Sequence, residues 1–247
     1  MRRGGAYALA TLSIASASQL VSCRGLTHLE SAELRTHLNE DISDNYYSSL
    51  VSFSDALNGL EDGYYTWATV KLYYSLFYSV RALLSSAGVC IMYAGNTPIL
   101  IQASAGARPS KLSGTTHVCV LRAFRTSFAR PDLLSQPMGV SDSLDWLLKK
   151  REDANYKNFG FGEPNVPDHF DRIVRDGIRR LTNAYAADAS DTYTFDEDHA
   201  AVALPQKAIV LVKNRLSEAL SAERTDYIRS ALRDANGPLS PLQKALL

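Results

Sequence analysis

The segment Asp145-Trp146-Leu147-Leu148-Lys149-Lys150-Arg151-Glu152-Asp153-Ala154-Asn155-Tyr156 carries the residues whose types and spacing best suggest chemistry. Leu144 and Leu148 begin an apolar helical stripe, and the same spacing runs on into Arg151 and Asn155. Two polar side chains are therefore expected on an inward face. A dry guanidinium without a counter-group is too costly to tolerate, so Arg151 must be paired or line a cleft. With Asn155 it makes either a cleft pair or a purely structural tie between helices. The planar fork of an arginine suits a carboxylate, a phosphate or a partner chain, and lysine does not reproduce it.

A proton-handling group beside such an arginine would be a histidine or, less effectively, a tyrosine. His117 follows Gly114-Thr115-Thr116 at a helix start, where its ring either faces a cleft or stands on the surface near the cap. His28, His37 and His169 lie on helix starts or polar faces without partner spacing. His199 adjoins Asp196, Glu197 and Asp198, which reads as an acidic solvated loop and not as a metal site. Arg172, Arg175 and Arg179 share one side of a helix and are candidate phosphate contacts, although Asp171 and Asp176 stand four residues before Arg175 and Arg180 and explain the pattern as local pairing. Gly-rich phosphate loops, a Gly-x-Ser-x-Gly elbow, a His-Glu-x-x-His pair and zinc half-sites are absent from the sequence, so neither a metal nor a cofactor is expected.

The elements that must position these residues read as a succession of helices. Thr27 and Glu30 form a capping box that opens a short helix to about Leu38. A second helix follows Ser43, with Tyr46, Leu50, Phe53, Leu57 and Leu60 on one face. After Glu61-Asp62-Gly63, residues 64 to 87 form the strongest helix, with a stripe of Trp67, Val70, Tyr74, Phe77 and Leu84 and a stop at Gly88. So short a turn makes these two helices an antiparallel hairpin. Residues 89 to 115 change character, predicting a small β-hairpin and an irregular loop inserted between helices. Helices resume from Thr115 or Thr116 to Ala129, closed by Pro131, from Ser141 to about Asn158, and from Asp168 along Phe170, Ile173, Val174, Ile178, Leu181 and Tyr185. Residues 188 to 199 read as an acidic surface loop. Pro205 is expected in a first turn ahead of Ile209, Val212, Leu216 and Leu220, and a last helix ends at Asn236-Gly237-Pro238. The fold class is mainly α, with a small β-hairpin and loop insertion.

Composition bounds the function classes. The chain has 247 residues, 46% hydrophobic and 21% charged, enough for a sizeable core and one principal domain. Equal numbers of acidic and basic residues, 26 of each, leave no general attraction for a polyanion, so any nucleic-acid contact must be local. Cys23, Cys90 and Cys119 have neither zinc spacing nor a disulfide framework and read as buried thiols in a reducing, cytoplasmic setting. Met1-Arg2-Arg3, an apolar stretch and Leu20-Val21-Ser22-Cys23 resemble a lipoprotein signal, but Ser and Thr interrupt the stretch, and an uncleaved, packed N-terminal segment is expected, with no membrane partner. The expected organisation is a packed segment over residues 1–43, a helical bundle over 44–187 carrying the 89–115 insertion, and an acidic loop with C-terminal helices over 188–247.

The helix Tyr73-Tyr74-Ser75-Leu76-Phe77-Tyr78-Ser79-Val80-Arg81-Ala82-Leu83-Leu84, followed by Arg151-Glu152-Asp153-Ala154-Asn155-Tyr156, resembles HEPN-superfamily helical domains over roughly residues 44 to 187. In that family a helix rich in Tyr, Phe and Ala precedes one with an Arg-x4-6-His motif. The resemblance implies a helical bundle, commonly dimeric, in prokaryotic toxin–antitoxin, abortive-infection and CRISPR-linked proteins, often a metal-independent ribonuclease whose Arg and His meet at a cleft between protomers. Arg151 would hold the phosphate. Tyr156 stands where the motif requires His, which removes the usual proton-handling group.

Three readings follow. The first is a HEPN-like subunit of an anti-phage defence or toxin–antitoxin system, a homodimer or part of a larger complex, acting through protein partners and on RNA. The second is an active endoribonuclease using Arg151 with Asn155, Tyr156 or His117. The third is a non-catalytic helical scaffold. Neutral charge and the missing His favour binding; the inward Arg151 and Asn155 favour the enzyme.

Overall fold

The computed structural model describes residues 3–128, 132–157 and 162–247, with the backbone alone at 156 and 157. In chain order the elements are helices α1 (Arg3–Thr11), α2 (His28–Glu61) and α3 (Tyr65–Ser86), strands β1 (Val89–Ala94), β2 (Thr97–Gln102) and β3 (Ser110–Lys111), and helix α4 (Thr116–Ser127). Strands β4 (Pro137–Met138) and β5 (Ser141–Asp142) lead into α5 (Ser143–Glu152) and a π-helical turn over Asp153–Lys157. Helices α6 (Asp168–Asp176), α7 (Ile178–Ala187), α8 (Ala200–Lys213) and α9 (Ala222–Ala231) follow, then strands β6 (Arg233–Asp234) and β7 (Gly237–Pro238), and helix α10 (Ser240–Leu246). The protein is mainly α-helical with small antiparallel β pairs. Among the described residues no helix is long and apolar enough to cross a membrane.

The chain divides into two compact units. Unit 1 comprises residues 1–45, 80–129 and 215–218; unit 2 comprises residues 46–79, 130–214 and 219–247. Helices α2 and α3 contribute to both.

In unit 1 the β1–β2 hairpin turns at Gly95-Asn96, with Met92 opposite Ile99 and Cys90 opposite Ile101, and β3 pairs with β2. The hairpin's alternate residues Cys90, Met92 and Ala94 are buried with Ile99, Ile101, Leu34, Leu38 and Ala8 in one apolar cluster. The 89–115 insertion is therefore structural core at its start, because period-2 alternation gives it a buried face. α1 packs on β1 and on α2: a Cβ at Gly4 would lie 2.9 Å from a methyl of Leu38 and 3.2 Å from Asp41 Oδ2, so any larger residue would make the buried Leu38 side chain shift. Its open backbone N–H groups are capped by Asp41, which accepts from Arg3 N at 2.9 Å and Gly4 N at 3.1 Å.

In unit 2 the residue 46–61 part of α2 lies against the residue 65–79 part of α3. Ser49 Oγ reaches Ser75 O at 2.8 Å and Ser79 Oγ at 2.7 Å, so small hydroxyls satisfy one another inside the contact. Tyr46, Leu50, Phe53, Leu57 and Leu60 are all buried, as their spacing predicts. α8 packs against α6, α7 and α10, with Gln206 Nε2 donating to Thr182 O at 3.0 Å. Lys213 Nζ donates to the carbonyls of Lys244 and Ala245 at 3.0 and 3.1 Å and so closes the end of α10.

Several expected boundaries differ. The capping box at Thr27 and Glu30 forms, with bonds of 2.8 and 3.2 Å, but the helix it opens does not end near Leu38; α2 runs on for 34 residues. The polar run after Leu38 does not break it, because Asp41 and Asn45 find partners while buried. Trp67 is 53% exposed and stands off the buried face of α3, which is carried by Val70, Tyr73, Phe77 and Val80. Asp142, not Ser141, caps α5, accepting from Leu144 N and Asp145 N. The helix from Asp168 breaks at Gly177, whose φ of 87° ends α6 and starts α7. Pro205 lies inside α8 and not in its first turn; Leu216 and Leu220 fall beyond that helix. Asn236-Gly237-Pro238 belongs to the β6–β7 hairpin. The helix ends expected at Ala129 with Pro131, and at Asn158, lie outside the described residues.

Replacing Asp41 by Ala removes both acceptors at the start of α1 and should destabilise unit 1 by about 1–2 kcal/mol. Asp41→Asn, which keeps one acceptor oxygen, should cost about half as much. Urea unfolding measures the loss, and faster amide exchange confined to α1 and β1 identifies its place; unchanged exchange there would contradict the cap.

Candidate functional site

The site is built on the first four turns of α3, whose side chains reach three separate elements of unit 2. Thr66 meets Glu163: its N–H donates to Oε1 at 2.7 Å and its hydroxyl to Oε2 at 2.8 Å. Burial works to raise the Glu163 carboxyl, but these donors outweigh it and hold the group below its ordinary value. One turn on, the Thr69 hydroxyl donates to Tyr65 O at 2.9 Å and lies 3.0 Å from His169 Nε2. Because the hydroxyl proton is committed to the carbonyl, Thr69 accepts from His169 Nε2–H, which places the ring's lone pair on Nδ1. A further turn along, Tyr73 and Tyr74 receive Arg151.

Arg151 lies in the last turn of α5, on the line Leu144, Leu147, Arg151. Leu144 and Leu147 are fully buried, while Leu148, expected on the stripe, is only half-buried. The guanidinium carbon sits 5.8 Å from the ring centres of both Tyr73 and Tyr74, and Nη2 approaches the Tyr74 hydroxyl at 3.4 Å. Cation–π attraction to two rings inclined at 67° holds the guanidinium beside both and contributes roughly 0.5–2 kcal/mol per ring. Tyr73 and Tyr74 are themselves held in an aromatic row with Phe77 and Tyr78. Burial pushes the Tyr73 phenol well above its ordinary range, and Arg151 offsets only part of this. Lys150 leans over the Trp146 ring at 5.2 Å.

His169 is pushed down to about 4, first by burial and then by the positive charge of Lys150, with Asp168 opposing. Its ring also packs on Phe170, 4.3 Å between centres. It is thus a neutral imidazole at pH 7, held from α6 against the same helix, α3, whose tyrosines carry Arg151. The sequence offered no local signal for this, since its partner Thr69 is 100 residues away.

The other proposed residues are dispersed. Asn155 is half-buried in the π-helical turn, whose wider winding takes it off the strict four-residue step from Arg151. The side chain of Tyr156 lies outside the described residues. His117 belongs to unit 1, in the first turn of α4 behind the Thr115 cap, whereas Arg151 belongs to unit 2. Arg172 is paired with Asp176 at 2.8 Å, and Arg175 approaches Asp171 and Asp176 at 3.9 and 3.7 Å, the local pairing their spacing suggested. Arg179 clamps the β6–β7 hairpin, with Nε to Asp234 Oδ2 at 2.7 Å, a second bond to Asp234 Oδ1, and Nη2 to Gly237 O at 2.8 Å. Its fork is engaged by carboxylate and carbonyls. His199 is buried, and its Nδ1 is 2.9 Å from the Tyr185 hydroxyl, so the expected surface loop ends inside the core. Among the described residues no three His, Cys, Asp or Glu side chains are gathered to hold a metal.

Compared with protein-family models, with curated proteins and with solved structures, the chain matches none.

The depressed His169 makes a pH prediction. An unfolded histidine near 6.5 binds a proton that the folded one near 4 refuses, so folding stability rises with pH between those values. The contribution is complete above about pH 6.5 and is lost as pH falls towards 4, in total up to about 3 kcal/mol. His169→Gln should flatten this part of the stability curve, and Lys150→Met should raise the NMR midpoint of the His169 ring. A midpoint near 6.5 in the wild type would show that the ring is neither buried nor opposed by Lys150.

Proposed function

We propose that the chain is a HEPN-like helical subunit of a prokaryotic defence or toxin–antitoxin type system, working with a protein partner and binding RNA through Arg151. The observation that supports it most is the guanidinium of Arg151 held 5.8 Å from the ring centres of both Tyr73 and Tyr74 of α3. The two cation–π contacts already limit the side chain's freedom, so that a phosphodiester meeting the guanidinium costs little further rotamer entropy. Lys150 adds a second positive charge beside it in sequence.

Binding is better supported than cleavage. General acid–base catalysis works best with a group that titrates near the operating pH. His169 stays neutral well below neutrality, and the Tyr73 phenol stays protonated well above it. Arg151 therefore serves to hold a phosphate, and neither His169 nor Tyr73 is poised to carry a proton for cleavage at neutral pH.

Fluorescence anisotropy with a labelled single-stranded RNA tests this. Arg151→Lys should weaken binding about tenfold or more while lowering stability by only about 1 kcal/mol, and Lys150→Met should weaken it less and reduce the salt dependence. Wild-type protein with no salt-sensitive RNA affinity, or Arg151→Lys with unchanged affinity, would remove the RNA part of the proposal.

A further inference from the structure

Unit 1 contains a narrow cavity of about 20 Å³ bordered by α2, α3, β1 and α4. Its polar wall is made by Asp41 and Asn45 of α2, Arg81 and Ser85 of α3 and Cys90 of β1, and the rest is aliphatic.

Asn45 is only 1% exposed. Its Nδ2 donates to Asp41 O at 2.8 Å, one turn back in the same helix, which points Oδ1 the other way. Turning the amide over would set its oxygen against that carbonyl, so this bond fixes which atom is which. Oδ1 is buried and has no hydrogen-bond partner among the described residues. A buried acceptor without a donor is rare in a folded protein, and ordered water is a common answer to it.

Charge and size decide what the cavity can hold. Burial, then Asp41, push the Cys90 thiol up to about 12, with Arg81 opposing, so a carboxylate and a guanidinium both act on this space. A cation is repelled by Arg81, and an anion by Asp41 and by the lone pairs of Asn45 Oδ1. A neutral molecule that both donates and accepts meets neither objection. A water needs roughly 10–15 Å³ of such space, so about 20 Å³ takes one and leaves no room for a larger ligand.

We infer that this cavity binds a single long-lived water molecule, which donates to Asn45 Oδ1 and bridges α2 to the Arg81 and Ser85 side chains of α3. The water belongs to the fold of unit 1 as the side chains do. It fixes the turn of α2 that carries Asp41, whose carboxylate caps α1.

Relaxation dispersion of ¹⁷O in solutions of the full chain counts buried waters and is blind to exchanging protons. Asn45→Leu, apolar and similar in size, should lower that count by about one relative to the wild type. An unchanged count in a folded Asn45→Leu variant would overturn the inference. A crystal structure of the wild-type chain, at a resolution that shows ordered water, gives a second measurement that does not depend on the variant's folding. The expected result is density for a water within about 3.2 Å of Asn45 Oδ1. A dry cavity, an ion in it, or an Asn45 oxygen bonded to another protein group would each overturn the inference.

Discussion

The arrangement of unit 2 around the candidate site depends on the desolvated polar side chains of α3. Between Thr66 and Ser79 this helix buries hydroxyls, a phenol and a guanidinium contact in surroundings where an unmatched polar group costs about 1–3 kcal/mol. Each is matched by a different element: Glu163 answers Thr66, His169 answers Thr69, Arg151 answers Tyr73 and Tyr74, and Ser49 answers Ser75 and Ser79. Partners for the polar side chains on the two sides of this helix thus come from α2, from α5, from the start of α6 and from the chain before it. An apolar α3 would hold the same elements by area alone; this one also fixes their register, because a hydrogen bond fails when its partner shifts by one residue.

That dependence explains what the sequence disclosed. Apolar periodicity is local, and it located α3, the residue 46–61 part of α2, and the β1–β2 hairpin with its Gly95-Asn96 turn. Arg151 was legible because it continues a stripe of leucines within its own helix. The misreadings share a cause: polar residues were taken as solvated or as breaks when partners distant in sequence had buried them. Asp41 looked like part of a break, yet it caps a helix 37 and more residues earlier. His169 looked solitary because Thr69 is 100 residues away, and Arg179 looked like a phosphate contact because Asp234 is 55 residues on. Val174 and Trp67 erred in the opposite direction: each fits an apolar stripe but stands exposed.

The two charged sites of unit 2 carry different weights when their helix ends are compared. Lys149, Lys150 and Arg151 occupy the last turn of α5, where the backbone dipole favours cations, so stability alone accounts for positive charge at that position. It does not account for the cation–π contacts of one of them with two tyrosines, and those contacts are why Arg151 stands out from its neighbours. Glu61 and Asp62 occupy the end of α2 against the same dipole preference. Like charges placed together at a negative helix end oppose folding and persist most naturally where something else offsets the repulsion. Arg179, bound to Asp234, also opposes the charge of Glu61. A neutral total charge therefore conceals local imbalances of opposite sign at the two helix ends.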